Sequence, residues 1–306
     1  MNASNNLQYN YTGKITLGIG KKHHQNFLPT LELLKSSLLV SISGSLRIYI
    51  ASILLMTHIN ILNCVAGGLI VYAIYTLDRA LESKEDSINK LELKGANRKL
   101  ALFISMIVFF LGCYVLNSCG LLFIALMPLV TGYLYSKGIS FGKFNFKLKG
   151  GRGIKNFIVG ITWGIFITFI AGVELESILP LIIIFLYYSF KLFINSALYD
   201  FKDIKGDIIA GIKTIPVSIG EENTRNLLLT LHIISHSLLA TAIIMHLLAF
   251  EPVILLYSLF IGIFYIYKLS NNRENESVGE KIERIFLIDG EAGSILCVRS
   301  VFSSIL

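Results

Sequence analysis

The stretch Ile178–Pro216, ILPLIIIFLYYSFKLFINSALYDFKDIKGDIIAGIKTIP, runs through a long apolar segment and straight into three aspartates, Asp200, Asp203 and Asp207. Roughly 20 apolar residues cross the hydrocarbon core of a bilayer, so the first part predicts a transmembrane helix. A simple membrane anchor has no use for acids. An unpaired carboxylate in the bilayer costs about 3 kcal/mol on insertion scales, and acids placed at the end of a span therefore point to function. Helical positions i, i+3 and i+7 share one face, so the three carboxylates project in a common direction. Gly206 and Pro216 are expected to break the helix around them. A second acidic cluster, Asp78 and Glu82 at i and i+4, follows another apolar stretch. Mg²⁺ held between such carboxylates and a phosphate is the natural ligand.

The rest of the chain has the same character. Of 306 residues, 54% are hydrophobic and 15% charged, and the mean hydropathy of +0.67 lies outside the range of ordinary soluble domains. Spans are expected near 36–57, 60–77, 100–117, 120–136, 156–173, 178–198, 226–249, 252–269 and 285–304. The fold class is an all-α polytopic membrane bundle of about nine transmembrane helices around a central chamber. Residues 1–33 read as a polar, irregular cytosolic arm without the apolar core of a signal peptide, and 34–306 as a single transmembrane domain. Cys64, Cys113, Cys119 and Cys297 form no metal or disulfide pattern and read as packing residues.

Charge orients the bundle. Of the 27 Lys and Arg residues, 20 fall in the four connections 78–99, 137–155, 200–225 and 268–284, and the intervening connections hold none. Basic residues in short loops stay cytoplasmic, which places the N-terminus and both acidic clusters on that side and the C-terminus opposite. The net charge of +7 is accounted for by this bias and by anionic headgroups, with no nucleic acid as partner.

Between the acidic clusters lies a loop with Lys137, Lys143, Lys147, Lys149, Arg152 and Lys155 and no acid. It reads either as positive-inside loading or as a grip on phosphate oxygens, with Tyr133 and Lys137 at i and i+4 best placed. Arg47 and Lys191 fall inside spans, where each either snorkels to an interface or reaches into the chamber. His232 and His236 read as helix-packing residues, since acidic or Cys ligands are lacking nearby. Two acidic clusters, a basic loop and an apolar bundle together suit a molecule with a diphosphate head and a hydrocarbon tail.

At these residues the chain resembles the UbiA superfamily of intramembrane prenyltransferases, over roughly residues 35–300. The second motif of that family, DxxDxxxD followed by GxxTxPV, is matched by Asp200, Asp203, Asp207, Gly211, Thr214, Pro216 and Val217. Its YxxxK is matched by Tyr133 and Lys137, and Lys155-Asn156 also fits its pattern. The first motif, NDxxDxxxD, departs: its positions read Ile74, Tyr75, Asp78 and Glu82. The resemblance implies Mg²⁺ bound by Asp78, Glu82, Asp200, Asp203 and Asp207, with Asp78, Asp200 and Asp203 catalytic. It also implies diphosphate contacts from Arg79, Tyr133, Lys137, Lys155 and Asn156, with Arg47 and Lys191 as further candidates. The implied partners are a polyprenyl diphosphate donor, a hydrophobic or aromatic, quinone-precursor-like or lipid acceptor, and membrane lipids.

Three other readings stand beside this one. A multi-spanning transporter or lipid-binding protein would place its ionisable or helix-breaking residues near mid-membrane, whereas the acids here cluster at span ends. A degenerate prenyltransferase is suggested by the altered first motif. Asp289-Gly290 invites comparison with CDP-alcohol phosphotransferases, but the Glu-Ala-Gly-Ser that follows breaks their motif.

Overall fold

A computed structural model of the chain describes residues 19–81, 95–136, 139–141, 144–146, 153–271 and 276–305. The helices are α1 Ile19–Lys35, α2 Leu38–Leu55, α3 Ile61–Ala80, α4 Arg98–Asn117, α5 Leu122–Ser136, α6 Ile154–Ala171, α7 Ile178–Ala210, α8 Ile215–Ile219, α9 Glu221–Ile244, α10 Pro252–Leu269, α11 Val278–Asp289 and α12 Glu291–Ile305. A two-stranded antiparallel hairpin, β1 Ile139–Phe141 and β2 Phe144–Phe146, pairs Ile139 with Phe146 between α5 and α6.

Among the described residues, seven helical segments are long and apolar enough to cross a membrane, the first formed by α1 and α2 together over Phe27–Leu55. The nine expected apolar stretches all appear as helices, but α5 and α12, at 15 residues each, fall short of a full span. The ninth stretch was expected from 285; the chain instead forms amphipathic α11, started by a Ser277–Glu280 capping box, before α12 begins at Glu291. On α11, Val278, Ile282 and Phe286 face outward while Arg284 and Ile288 are buried.

Two local expectations are corrected. The irregular arm through residue 33 is helical from Ile19, because Leu33 packs with Ala80 and Ala101 and the Thr30 hydroxyl accepts from the Asn97 amide at 2.7 Å. Gly206 does not break the acidic run: α7 continues for 33 residues and stops at Gly211, whose φ of +70° forms a left-handed cap with Ile212 N–H donating to the Asp207 carbonyl at 2.8 Å. One glycine costs a helix only about 1 kcal/mol. At 1.5 Å per residue α7 is about 50 Å long, against about 30 Å of hydrocarbon, so its acidic end projects beyond the core.

Small residues set a close contact between α6 and α7. A Cβ on Gly160 of α6 would lie 2.5 Å from the Ser189 carbonyl oxygen of α7, and one on Gly164 would lie 2.1 Å from Ser189 Oγ. This GxxxG spacing lets the two backbones touch, which is how helices associate where lipid removes the hydrophobic driving force. It also fixes the register that brings the first turn of α6 against Asp200, at the head of the acidic face of α7.

Candidate functional site

That register delivers two side chains to one carboxylate. Asp200 is fully buried; Lys155 Nζ donates to its Oδ1 at 2.7 Å, and Asn156 Nδ2 donates to its Oδ2 at 2.9 Å and to Ser196 Oγ at 3.1 Å. A buried carboxylate must be met in this way or remain neutral. One and two turns further on are Asp203, whose Oδ1 lies 3.4 Å from Lys202 Nζ, and buried Asp207, which interacts electrostatically with Lys155, Asp200 and Asp203. The three aspartates expected on one face follow one another along α7, and Lys155 and Asn156, expected as diphosphate contacts, meet Asp200.

Among the described residues, Asp207 Oδ2 and Asn156 Oδ1 are buried without a hydrogen-bond partner. Hard oxygens left unpaired beside an acidic face suit a small divalent cation. Among the described residues no three His, Cys, Asp or Glu side chains converge on one point. Such a cation would draw the rest of its shell from phosphate and water, as Mg²⁺ ordinarily does.

The first cluster is arranged differently. Asp78 and Arg79 occupy the last turn of α3, while Glu82, like Lys137, lies outside the described residues. Arg79 Nη1 donates to Ser37 Oγ at 2.6 Å, and its guanidinium stands 5.7 Å over the Tyr75 ring. Tyr75 in turn stacks on Trp163 of α6 at 5.8 Å. Tyr133 is 48% exposed on α5 and is not gathered into the buried polar cluster.

Arg47 and Lys191 do not snorkel. Both are buried: Arg47 donates to the Ile288 carbonyl at 3.3 Å, and Lys191 pairs with Glu291 at 2.5 Å. His232 and His236 are packing residues, bonded to the Leu259 carbonyl at 3.0 Å and Ser258 Oγ at 2.9 Å. Cys64 and Cys113 are buried as expected, whereas Cys297 is exposed on α12.

The sequence reading did not find the polar group at the α11–α12 junction. Tyr199 donates its hydroxyl to Asp289 Oδ2 at 2.6 Å. Arg284 lies 5.0 Å over the Tyr199 ring and is held by both Glu276 oxygens, at 2.8 and 2.6 Å. Asp289 interacts electrostatically with Arg47, Arg79 and Arg284, and Tyr75 with Asp289 and Asp78. Arg284 also interacts with Asp203, so this group borders both acidic clusters. In the sequence its one signal is Asp289-Gly290, which by itself resembles the start of a different membrane motif.

The model of the UbiA prenyltransferase family matches residues 38–287. No curated protein sequence matches the chain. Among solved structures, one described as a digeranylgeranylglyceryl phosphate synthase is similar at 21% identity and TM-score 0.56, covering 91% of this chain and 97% of that one. A UbiA homologue from Archaeoglobus fulgidus bound to DMAPP and Mg²⁺ gives 15% identity and TM-score 0.58 over 88% and 99% of the two chains. An apo UbiA homologue from Aeropyrum pernix K1 gives 15% and 0.58 over 84% and 97%. Similarity at this level establishes a common fold.

Proposed function

Because the chain belongs to the UbiA prenyltransferase family, we propose that it transfers a prenyl group from a polyprenyl diphosphate to an aromatic, quinone-precursor-like or lipid acceptor inside the membrane, and that it depends on Mg²⁺. The observation that carries this reading is the buried Asp200 carboxylate, held from two sides by Lys155 and Asn156 at the head of the acidic face. The A. fulgidus homologue, described as binding DMAPP and GPP with Mg²⁺, supports the donor class. The acidic ends of the helices favour prenyl transfer over transport.

Asp78, Glu82, Asp200, Asp203 and Asp207 would hold the metal, which supplies positive charge to the diphosphate as its bond to carbon weakens. Lys155, Arg79 and Lys137 bind the remaining phosphate oxygens, and their fixed positive charge stabilises what develops on the leaving group. Asn156 orients Asp200, and Tyr133 flanks the entry on α5. Trp163 and Tyr75 offer π faces to the allylic cation. The surrounding apolar helices exclude the water that would quench it. The transferase domain takes in the span that begins at Phe27, and the acidic helix ends face the cytoplasm.

The test is release of diphosphate from radiolabelled geranylgeranyl diphosphate by the detergent-purified protein, with and without Mg²⁺, over aromatic and glycerol-phosphate acceptors. Mg²⁺-dependent release with label moving into one acceptor is the expected result. Donor binding without release would overturn the reading and point to Ile74 and Tyr75 as the cause.

A further inference from the structure

Prenyl transfer leaves one proton unassigned. When the donor C1–O bond breaks, its electron pair departs with the diphosphate. The acceptor then spends a pair from an aromatic carbon or a hydroxyl oxygen on the new bond to C1. The proton on that acceptor atom must go to a base. The carboxylates of the α7 face are committed to cation and lysine, and the residues around the diphosphate are donors.

Asp289 has the features this role demands. It sits at the end of α11, bonded to Tyr199 beside the acidic face of α7, and it is only partly buried, as are Tyr75 and Tyr199. Tyr199 is its one hydrogen-bond donor among the described residues, and it engages Oδ2. Oδ1 is left to meet a ligand. The charged and titratable groups facing Asp289 are Arg47 from α2, Tyr75 and Arg79 from α3, Tyr199 from α7 and Arg284 from α11. Three guanidiniums around one carboxylate repel a metal cation, so Asp289 is unsuited to serve as a replacement ligand for the acids missing from the first motif.

We infer that Asp289 is the proton acceptor of the transfer step: its Oδ1 takes the proton from the acceptor atom that bonds to C1, while Tyr199 fixes the carboxylate through Oδ2. The inference rests on the prenyl transfer proposed above. The acceptor binds at the α11–α12 junction, beside Asp289, and has an ionisable hydrogen on the attacked atom, as a phenol, an electron-rich aromatic carbon or a glycerol hydroxyl does. Burial pushes the Asp289 carboxyl up, while the Tyr199 hydrogen bond and the three guanidiniums pull it back. Tuning toward the working pH is what a general base requires.

The test follows both halves of the reaction with radiolabelled geranylgeranyl diphosphate, Mg²⁺, and either 4-hydroxybenzoate, whose activated ring carbon carries a hydrogen, or geranylgeranylglyceryl phosphate. Asp289→Asn keeps an acceptor for the Tyr199 hydroxyl and removes the base. Diphosphate release should stay within about threefold of wild type, with label appearing as prenyl alcohol, while transfer falls by at least about 100-fold. Wild-type transfer should decline at low pH as Asp289 protonates. Tyr199→Phe removes a hydrogen bond that favours the carboxylate and should move that decline to higher pH. Equal loss of release and transfer in Asp289→Asn, or wild-type transfer with an unmoved pH profile in both variants, would overturn the inference. A wild-type protein that releases no diphosphate with Mg²⁺ would instead overturn the reading beneath it.

Discussion

At the acidic end of α7, Asp200 is gripped by two side chains from α6, whereas at the end of α3 the corresponding region carries Ile74 and Tyr75, and Arg79 turns back onto Ser37 and the Tyr75 ring. One helix end presents buried oxygens, two of them on α6 and α7 without partners; the other presents an aromatic face and a guanidinium. The difference teaches that the two acidic helix ends have separate duties in this chain. On the proposed function, α7 carries most of the metal and phosphate binding. The α3 side, with Asp78 as its described acid, shapes the space shared with Asp289.

The largest effect should come from breaking the stronger side. Asp200→Asn is expected to lower prenyl transfer by at least about 100-fold, the scale of losing one preorganised electrostatic group, with membrane insertion unchanged in detergent chromatography. Retention of full activity would mean that the α7 grip has no part in turnover. Lys155→Ala should act first on stability. It leaves a fully buried carboxylate with Asn156 alone, and breaking such a pair costs on the order of 3 kcal/mol, reduced here because Lys155 is itself 22% exposed. Thermal unfolding in detergent measures this, and added Mg²⁺ should recover part of the loss. A smaller effect is expected from mending the weaker side. Tyr75→Asp returns a carboxylate to the first motif at the cost of the Trp163 stack, about 1 kcal/mol. It should lower the Mg²⁺ concentration for half-maximal activity by about tenfold, or 1.4 kcal/mol. An unchanged Mg²⁺ requirement would show that the two sides do not share a metal.

The stronger side was the legible one. Its signal is local: a 3-4 spacing of aspartates on one helix, then Gly211, Thr214 and Pro216 where the chain must turn. Apolar periodicity is also local, so the helices were legible even where α5 and α12 proved short. Gly206 was misread because a glycine's intrinsic penalty is small beside the packing of a 33-residue helix. The helix at Ile19–Lys35 was missed because its anchor, Leu33 against Ala80 and Ala101, is made by distant residues. The same holds for Tyr199 with Asp289 and Lys191 with Glu291. Each pair is separated by several helices, and nothing in either partner's neighbourhood announces the other.

The Lys191–Glu291 ion pair, buried at both ends, bears on how the protein is made. The two residues are about 100 positions apart, so at 5–20 residues per second Lys191 is synthesised roughly 5–20 s before its counter-ion exists. A lone lysine at the centre of a span resists insertion by about 3 kcal/mol. Stable seating of α7 is therefore tied to the arrival of the last helix, and a ribosome that stops before Glu291 leaves the acidic helix without its internal counterweight.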